Sequence, residues 1–496
     1  MQDISSLLEQ ELNSPRMRTR RKWRALKDRL ARRAIALGGL SVIAAITLIF
    51  FYLLYEVMPL FKSASIQQES SFTLQEPARS STILTMFSEE QNELAALLTE
   101  QGKLLFINAH NGQPVSEQQL PLQDASISSL KVKTPGDDTL LLGLSNGQAL
   151  AVNTSFKVSF DAEGQRLGVQ PQVTQLFNGQ PLTLDIQQRP LTYITQQQSP
   201  DGMLLAGLVG DGEVVMSLLR QKTNFITGAM QESLEPIVFP SSTQYQRLLI
   251  APDHHYTFAL HHSGRLDVYD TRNLEQIHLL HTLPLVEAGQ QVTQMVFQLA
   301  QQSLLVGDSQ GQISQFFMVR DAHNQQQLTK IRTLKLGDAP IQILEAEQRR
   351  KGFVAIDSTG RTGIFNTTAE KKAIDQPLLD GAPVLAALAP RASMLLLQDA
   401  QGVFHRYAID NPHPETSLKS LWGKVWYEGY SEPQYTWQSS SASTEFEPKF
   451  SLTPLAFGTL KAAFYAMLLS VPGCMWRDVY RLLYGPCCTP QDQTRD

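Results

Sequence analysis

Four histidines in one short stretch are the pattern in this sequence that most suggests metal chemistry. The segment "HHYTFALHH" contains His254, His255, His261 and His262. On a β-strand that rises roughly 3.3 Å per residue, His255 and His261 would lie roughly 20 Å apart, too far to bind one ion. We therefore interpret these histidines as turn and strand-end residues, and we expect no metal.

Two acidic segments, Gly210–Glu213 ("GDGE") and Pro135–Asp138 ("PGDD"), are the next candidates for a ligand site. A calcium loop alternates oxygen ligands over a longer stretch, so we interpret the first segment as a hairpin turn and the second as a surface turn. The sequence contains neither a P-loop nor an H-E-x-x-H zinc motif. We expect no catalytic residue, no cofactor and no enzymatic activity.

The elements that organise the chain begin with a basic head and an apolar segment. The first 35 residues carry ten Lys and Arg against four Asp and Glu, in a chain of 496 residues with net charge −5. From Ala34 to Tyr55 no residue is charged, and these 22 positions exceed the roughly 20 that a membrane helix needs. The long head and the lack of an A-x-A-like site favour an anchor over a cleaved signal peptide. We predict a cytoplasmic segment at 1–33, a transmembrane helix at 34–61, and export of the domain after it.

The long middle of the chain has the pattern of a repeated β-structure. Residues 63–450 contain no cysteine, so an exported domain here would depend on its hydrophobic core rather than on disulfides. Seven times an apolar run is followed by a polar turn with glycine and then by an alternating strand, as in "LLVGDSQGQISQFFMV". A tight hairpin of this kind needs glycine where the backbone has positive φ. The turn glycines are Gly102, Gly147, Gly212, Gly264, Gly311, Gly360 and Gly402.

The spacing of these glycines indicates the fold class. Successive intervals are 45, 65, 52, 47, 49 and 42 residues, close to the repeat of a four-stranded β-propeller blade. The Gly-His and Trp-Asp signatures of WD40 repeats are absent, so we predict a degenerate, mainly β, WD40-like propeller of about seven blades at 62–420. A large β-sandwich is the alternative, and it gives no reason for the repeat.

A tryptophan-rich segment and a second apolar run come after the repeats. We place a connector at 421–453, a second transmembrane helix at 454–475, and a polar tail at 476–496. Aromatic side chains here suit either a membrane interface or the cover of a blade edge, and the sequence leaves both open. All three cysteines (Cys474, Cys487 and Cys488) fall at or beyond the end of this helix, and we do not interpret them as a metal or redox site.

The stretch "EPKFSLTPLAFGTLKAAFYAMLLSVP" (Glu447–Pro472) resembles the start of the permease core in phosphate-specific (Pst) ABC transporters. The similarity is to the large C-type permease subunits, in which a propeller-like domain comes after the first membrane helix. The order of parts also matches, so the resemblance extends to Pro472. The residues that carry the motif are Pro454, Phe457, Gly458, Thr459, Leu460, Lys461 and Tyr465.

The resemblance implies a multi-pass protein of the bacterial inner membrane with a large periplasmic domain. Its implied partners are a second permease subunit, cytoplasmic ATPase subunits and a periplasmic phosphate-binding protein. The chain departs from such permeases after Pro472, where further membrane helices and an ATPase-docking loop are missing. One permitted set of codons from Trp476 onward encodes an apolar segment in a shifted frame, so we expect the tail to be the product of a frameshift.

Two functions remain open from the sequence. The first is a truncated permease subunit of an importer for phosphate or a similar anion, which cannot transport alone. The second is a membrane-anchored propeller that serves as a periplasmic protein-binding or scaffold module.

Overall fold

A computed structural model of the chain describes residues 15–76, 78–132, 139–223, 230–240, 244–441 and 446–484. The apolar N-terminal segment forms helix α1 (Pro15–Val57), which leads into a short 3-10 turn at Met58–Phe61. Contacts divide the chain between Lys62 and Ser63 into two units. The second unit contains the β-strands, a short helix α2 (Leu418–Trp422) and a long helix α3 (Thr453–Tyr484).

Two helices in the described residues, at Leu26–Phe61 and Thr453–Gly473, are long and apolar enough to cross a bilayer. Helix α3 continues through Pro472 and reaches Tyr484, so it extends nine residues past the predicted end at position 475. The rest of the predicted tail, from 485 onward, lies outside the described residues.

The strands form seven blades, six of which are built from consecutive strands. Blade 1 comprises β2 (Ile83–Ser88), β3 (Leu94–Thr99), β4 (Lys103–Asn108) and β5 (Pro114–Gln119). Blade 2 comprises β6 (Ile127–Lys131), β7 (Thr139–Leu144), β8 (Gln148–Phe160), β9 (Arg166–Gln175) and the short β10 (Leu182–Thr183). Blade 3 comprises β11 (Leu191–Ser199), β12 (Gly202–Val209), β13 (Glu213–Thr223) and β14 (Met230–Ile237). Blade 4 comprises β15 (Tyr245–Ile250), β16 (Tyr256–His261), β17 (Arg265–Asp270) and β18 (His278–Pro284).

The remaining blades complete the circle. Blade 5 comprises β19 (Val292–Phe297), β20 (Ser303–Asp308), β21 (Gln312–Arg320) and β22 (Gln326–Lys335). Blade 6 comprises β23 (Ile341–Ala346), β24 (Gly352–Asp357), β25 (Arg361–Asn366) and β26 (Lys371–Pro377). Blade 7 comprises β27 (Leu385–Leu388), β28 (Met394–Gln398), β29 (Val403–Asp410) and, as its outer strand, β1 (Ser65–Thr73). A last two-stranded sheet in the connector pairs β30 (Trp437–Gln438) with β31 (Lys449–Phe450).

Strand β1 closes the ring by joining the first and last parts of the propeller. It pairs antiparallel with β29 from Ser65 opposite Asp410 to Thr73 opposite Val403. The rings of Phe72 and Phe404 stack across this pair with centroids 5.4 Å apart. Closure of this kind removes the exposed edges that an open sheet would carry.

The predicted turn glycines all have positive φ, between 72° at Gly311 and 94° at Gly212. Each joins the second and third strands of a blade, which confirms the repeat. In blades 5, 6 and 7 an aspartate stands three residues before the glycine (Asp308, Asp357 and Asp399), and its carboxylate accepts two backbone N–H groups of the turn. The sequence prediction of a propeller with about seven blades is therefore confirmed.

The core is divided between the blades rather than gathered at one centre. Within the described residues, each of seven hydrophobic clusters joins two neighbouring blades. The cluster between blades 7 and 1, for example, contains Met86, Leu97, Leu396 and Phe404. The innermost strands of blades 1 to 6 each carry a register shift after their first residue, a repeat that the sequence did not reveal.

Candidate functional site

The permease-motif residues all lie in the first turns of α3. Pro454, Phe457, Gly458, Thr459, Leu460, Lys461 and Tyr465 are exposed in this chain. The Thr459 hydroxyl donates to the carbonyl of Leu455 at 2.9 Å, and the Lys461 ammonium lies 5.8 Å from the Tyr465 ring centroid. These contacts are internal to the helix, so the motif forms no pocket by itself.

The histidines of "HHYTFALHH" make separate structural contacts. His254 is buried in a turn and hydrogen-bonds Ser199 Oγ at 3.2 Å and the carbonyl of Gln197 at 2.8 Å. His261 Nε2 lies 2.8 Å from Asp267 Oδ2. Burial opposes ionisation of Asp267, but hydrogen bonds to its side chain outweigh this and lower its pKa. In the part of the chain that the structure describes, no group of three or more His, Cys, Asp or Glu is placed to hold a metal.

Two sequence matches to a catalytic motif, Gly143–Gly147 ("GLSNG") and Gly307–Gly311 ("GDSQG"), prove to be turns between the second and third strands of a blade. Gly307–Gly311 reads "GDSQG", the G-x-S-x-G pattern of a hydrolase nucleophile. In hydrolases that serine sits between a strand and a helix, whereas Ser309 lies in the hairpin between β20 and β21. Its hydroxyl accepts the backbone N–H of Gln291 at 3.1 Å, which fixes the start of blade 5.

A central channel runs between the seven inner strands and has a volume of about 520 Å³. Its lining is mainly apolar and amide-bearing, and includes Gln196, Gln294 and Gln342. The charged side chains that line it in the described residues are Glu345 on β23 and Lys131 on β6. These two strands belong to blades 6 and 2, which lie well apart around the seven-bladed ring.

Glu345 differs from the other acidic residues near the channel because its carboxylate has no hydrogen bond or ion pair among the described residues. Burial in the channel raises its pKa to about 7. In contrast, the buried Glu89 accepts the backbone N–H groups of Glu93 at 2.6 Å and Leu94 at 3.4 Å. Glu347 contacts Arg350 Nε at 2.7 Å. Glu345 is therefore the carboxylate that is free to receive a donor from outside.

The channel opens on one face of the propeller, which we call the lower face. It is the face at which the first and third strands of each blade end, since neighbouring antiparallel strands run in opposite directions. The mouth is a second cavity of about 410 Å³. Thr85, Val132, Glu345, Gln348, Ala386 and Leu388 line both cavities, so the two are continuous. Glu90 at the mouth contacts Arg349 and Arg391, which joins the loops of blades 1, 6 and 7.

A long hairpin of β8 and β9 stands beside this mouth. Strand β7 pairs with β8 only as far as Asn153, so the next seven residues of β8 extend beyond the blade with β9 as their partner. Arg166 near the tip contacts Glu93 of the loop after β2 at 2.5 Å, so the hairpin leans over blade 1.

This hairpin is amphipathic. Phe156 and Val158 of β8 share a face with Val169 of β9. Nearer the tip, a register shift after Ser159 leaves Leu167 as an extra residue, so that Phe160 lies opposite Arg166 with Leu167 beside it. The base of that face is packed, since Phe156 contacts Phe106 edge-on at 6.0 Å and Val169 is buried. Toward the tip, Phe160 and Leu167 are 60% and 66% exposed. An apolar face thus continues from the propeller core into solvent.

The segment after blade 7, described at 411–441 and 446–452, includes most of the predicted connector and packs on the lower face at blades 5 and 6. We use the name connector for this whole segment from here on. Helix α2 begins at a capping box in which the Ser417 hydroxyl accepts the N–H of Ser420, and the same hydroxyl donates to the carbonyl of Ala369 at 2.8 Å. Trp426 packs edge-on against Phe317 of β21 with centroids 6.2 Å apart. Trp426 therefore fits the interpretation in which a tryptophan covers a blade. Trp422 and Trp437 remain about half exposed.

Buried charges hold the connector in place. Lys351 Nζ lies 2.6 Å from Glu428 Oε2 and also donates to the carbonyl of Leu299. The Ser303 hydroxyl donates to the other oxygen of Glu428. The Arg332 guanidinium donates to the carbonyls of Thr367 and Trp426, and burial lowers its pKa.

A second group of residues joins the connector to helix α3. The Lys449 ammonium lies 4.9 Å from the ring centroid of Phe446, 5.5 Å from Tyr427 and 6.0 Å from Tyr430, a cation–π arrangement. Burial in the first place, and repulsion from Glu428 in the second, raise the pKa of Glu447 to about 7.

The last step of this junction is made by the backbone. The N–H of Leu452 donates to the carbonyl of Leu421 at 2.7 Å, one residue before α3 begins. Because α2 is itself bonded to blade 6 through Ser417, the start of α3 is fixed to the lower face.

Together these features define the class of protein: a seven-bladed β-propeller with a membrane-length helix on each side of it in the sequence. Over 70% of its length, the chain is similar in structure to the β-propeller domain of Cps50 (Swd1) from Myceliophteria thermophila. The match covers all of that domain, with 10% sequence identity and a TM-score of 0.44. A chain of a mitotic checkpoint complex structure matches with 14% identity, 92% of that chain covered and a TM-score of 0.45. No family model matches the sequence, and neither does any curated protein.

Proposed function

We propose that this chain is a membrane-anchored β-propeller that binds a protein partner on its lower face and serves as a scaffold rather than an enzyme. The observation that carries the proposal is the exposed apolar face of the β8–β9 hairpin beside the channel mouth. Isolated exposed apolar residues are ordinary, but a continuous apolar face that borders a cavity is typical of an interaction surface. By the charge of the N-terminal head, the propeller would lie in the periplasm of a bacterial inner-membrane protein.

The hairpin tip favours a protein over a lipid surface as the occupant. Asp161 and Glu163 stand at the tip, and its one basic residue, Arg166, is paired with Glu93. A bilayer with anionic headgroups would repel these carboxylates. A partner segment with apolar side chains flanked by basic ones would match both the apolar face and the charge around it.

Crosslinking from the hairpin tests this function. We expect a photoreactive benzoylphenylalanine at position 160 of the full chain, in native membranes, to give one discrete protein adduct. The same probe at Val238, an exposed position at the outer end of blade 3, should give none. Phe160→Ser combined with Leu167→Ser should abolish co-purification of that protein. Adducts to lipid alone, or equal protein adducts from both positions, would contradict the proposal.

A second candidate function is a permease subunit of an importer for phosphate or a similar anion, with the partners that the sequence resemblance implies. It is favoured by the outward-facing motif residues of α3, which would be available to pack against further membrane helices, and by the rigid junction at Leu452. On this hypothesis the chain alone does not transport. Phosphate uptake by vesicles that contain this chain as the sole permease subunit would refute it.

A further inference from the structure

Building on the proposed function, we infer that the central channel is a pocket for a lysine or arginine side chain of the bound partner, with Glu345 as its counter-ion. Glu345 lines both the mouth and the channel, so a side chain that enters past the hairpin reaches it without crossing a barrier of protein. The other wall of the mouth is formed by Val158 and Val169 of the hairpin. One partner segment can therefore place an apolar residue on the hairpin and a cation in the channel.

The chemistry of the lining fits a cation better than an anion or a neutral group. Glu345 is half-buried, with protein around it on most sides of the channel. A carboxylate in such a place without a partner is unfavourable, and a hydrogen-bonded cation removes most of that penalty. Lysine and arginine bring only N–H donors, and the amide oxygens of Gln196, Gln294 and Gln342 can accept those that Glu345 leaves unused.

The other charged or titratable groups near Glu345 are already engaged or distant. Glu89 caps its own loop, and Glu90 contacts Arg349 and Arg391. Arg247 donates to the carbonyl of Thr293 at 2.9 Å. Tyr193 is partly buried, and its removal from water raises its pKa and keeps it neutral, while Lys131 stands on blade 2. None of these groups appears among the causes that shift the pKa of Glu345.

The pocket should also respond to pH near neutrality. With a pKa of about 7, Glu345 is about one-tenth ionised at pH 6 and about nine-tenths ionised at pH 8. A cation binds the ionised form, so its affinity should rise about ninefold over that range. Replacing Glu345 with glutamine removes the titrating group and should remove this dependence.

Charge-selective labelling of a thiol in the channel measures this preference in the full chain in detergent. Ala386→Cys places a small thiol where mouth and channel meet, in a background with the native cysteines changed to serine (Cys474, Cys487 and Cys488). We compare a cationic reagent, trimethylammonioethyl methanethiosulfonate, with an anionic one, sulfonatoethyl methanethiosulfonate. The ratio of their rates cancels the thiol's own ionisation. Each rate is divided by the rate of the same reagent with free 2-mercaptoethanol, because a thiolate by itself favours the cationic reagent. After this correction we expect the cationic reagent to react about tenfold faster or more at pH 8.

Two variants test whether Glu345 is the cause. In Glu345→Gln the ratio should fall toward one at pH 8 and lose its pH dependence. The matched control, Glu287→Gln, removes an exposed carboxylate in the loop after β18, which lines neither cavity, and should leave the ratio unchanged. An equal ratio in Glu345→Gln and in the parent would overturn the proposal.

Protection of the thiol identifies the source of the cation. A blocked tripeptide with leucines on both sides of a lysine should slow labelling by neutral methyl methanethiosulfonate, and its norleucine analogue should not. Protection by n-butylammonium equal to that by the tripeptide would show a pocket for free organic cations and overturn the assignment to a partner side chain. These results are independent of the crosslinking at position 160, so a cation-selective channel without a protein adduct would reject the proposed function alone.

Discussion

The buried ion pair between Lys351 and Glu428 should control how firmly the connector, and with it helix α3, is held on the propeller. The two side chains are 4% and 12% exposed, and their charged atoms are 2.6 Å apart. Lys351→Met keeps the length and apolar stem of the side chain but leaves the carboxylate of Glu428 buried. The unpaired carboxylate of Glu428 then faces Glu447. Even in the parent, the charge on Glu428 disfavours ionisation of Glu447.

The magnitude depends on the loss of one partner of a buried pair. Such a change typically destabilises by about 3–5 kcal/mol, because an uncompensated charge remains in a low-dielectric site. For a domain larger than 250 residues, about 2 °C is lost per kcal/mol, so the unfolding midpoint should fall by about 6–10 °C. If the connector detaches before the blades unfold, the fall in the unfolding midpoint appears in a signal from the connector before it appears in a signal from the blades.

Two optical signals separate these outcomes in the full chain in detergent. Tryptophan fluorescence reports the connector through Trp426, which packs on Phe317, while far-ultraviolet circular dichroism reports the blades. In Lys351→Met combined with Glu428→Gln, neither charge remains, and most of the lost stability should return. A double-mutant cycle should give a coupling above about 2 kcal/mol.

An exposed ion pair between the same two parts of the molecule provides the control. Lys419 of α2 contacts Glu370, with the two side chains 58% and 30% exposed. Lys419→Met should lower stability by less than about 1 kcal/mol, since exposed pairs are weakened by solvent. The reasoning is wrong if Lys351→Met and Lys419→Met have the same effect, or if Lys351→Met leaves both optical signals unchanged.

Two further predictions concern pH and a turn. Because the pKa of Glu447 is raised from 4.5 to about 7, its stabilising contribution is complete below pH 4.5 and is lost as pH rises through 7. Glu447→Gln should therefore be more stable than the parent at pH 8, by up to about 3 kcal/mol. A pH series of thermal unfolding midpoints for the two proteins measures this difference. Gly212 has φ 94°, and a Cβ there would lie 2.3 Å from the backbone oxygen of Tyr245, whereas Gly402 has φ 78° and open space. Gly212→Ala should thus destabilise by about 2 kcal/mol more than Gly402→Ala, and equal midpoints in denaturant for the two variants would contradict the clash.

The repeat was predictable because its signals are local. A hairpin turn depends on the residues within it, so the glycine at each of seven turns is visible in the sequence as well as in the structure. The apolar runs of α1 and α3 were visible for the same reason, since helix length and hydrophobicity are properties of one continuous segment. The end of α3 was not predictable in this way, because the sequence predicted an end at position 475 and the helix continues to Tyr484.

The candidate site was not predictable because its parts are distant in the sequence. In the sequence, Glu345 is one of many acidic residues in a β-strand. Only the arrangement of the blades places it in the channel, away from a partner among the described residues. The hairpin is exposed because β8 extends beyond its pairing with β7. No turn residue in the sequence indicates that difference in strand length. "GDSQG" is the reverse of Glu345: its residue pattern matches a catalytic motif, but its position in a hairpin gives it a structural role.

The sequence by itself determined the kind of strand pairs, their number, and the two apolar segments around them, because these depend on neighbours in the chain. The tertiary structure alone decided the rest. It brought Ser65 opposite Asp410 to close the ring and set Lys351 against Glu428 to hold the connector. It also placed Glu345 in the central channel, where none of the residues that the structure describes pairs with it. Each of these depends on contacts between residues that are distant in the sequence, and the cooperative packing of the blades selects them.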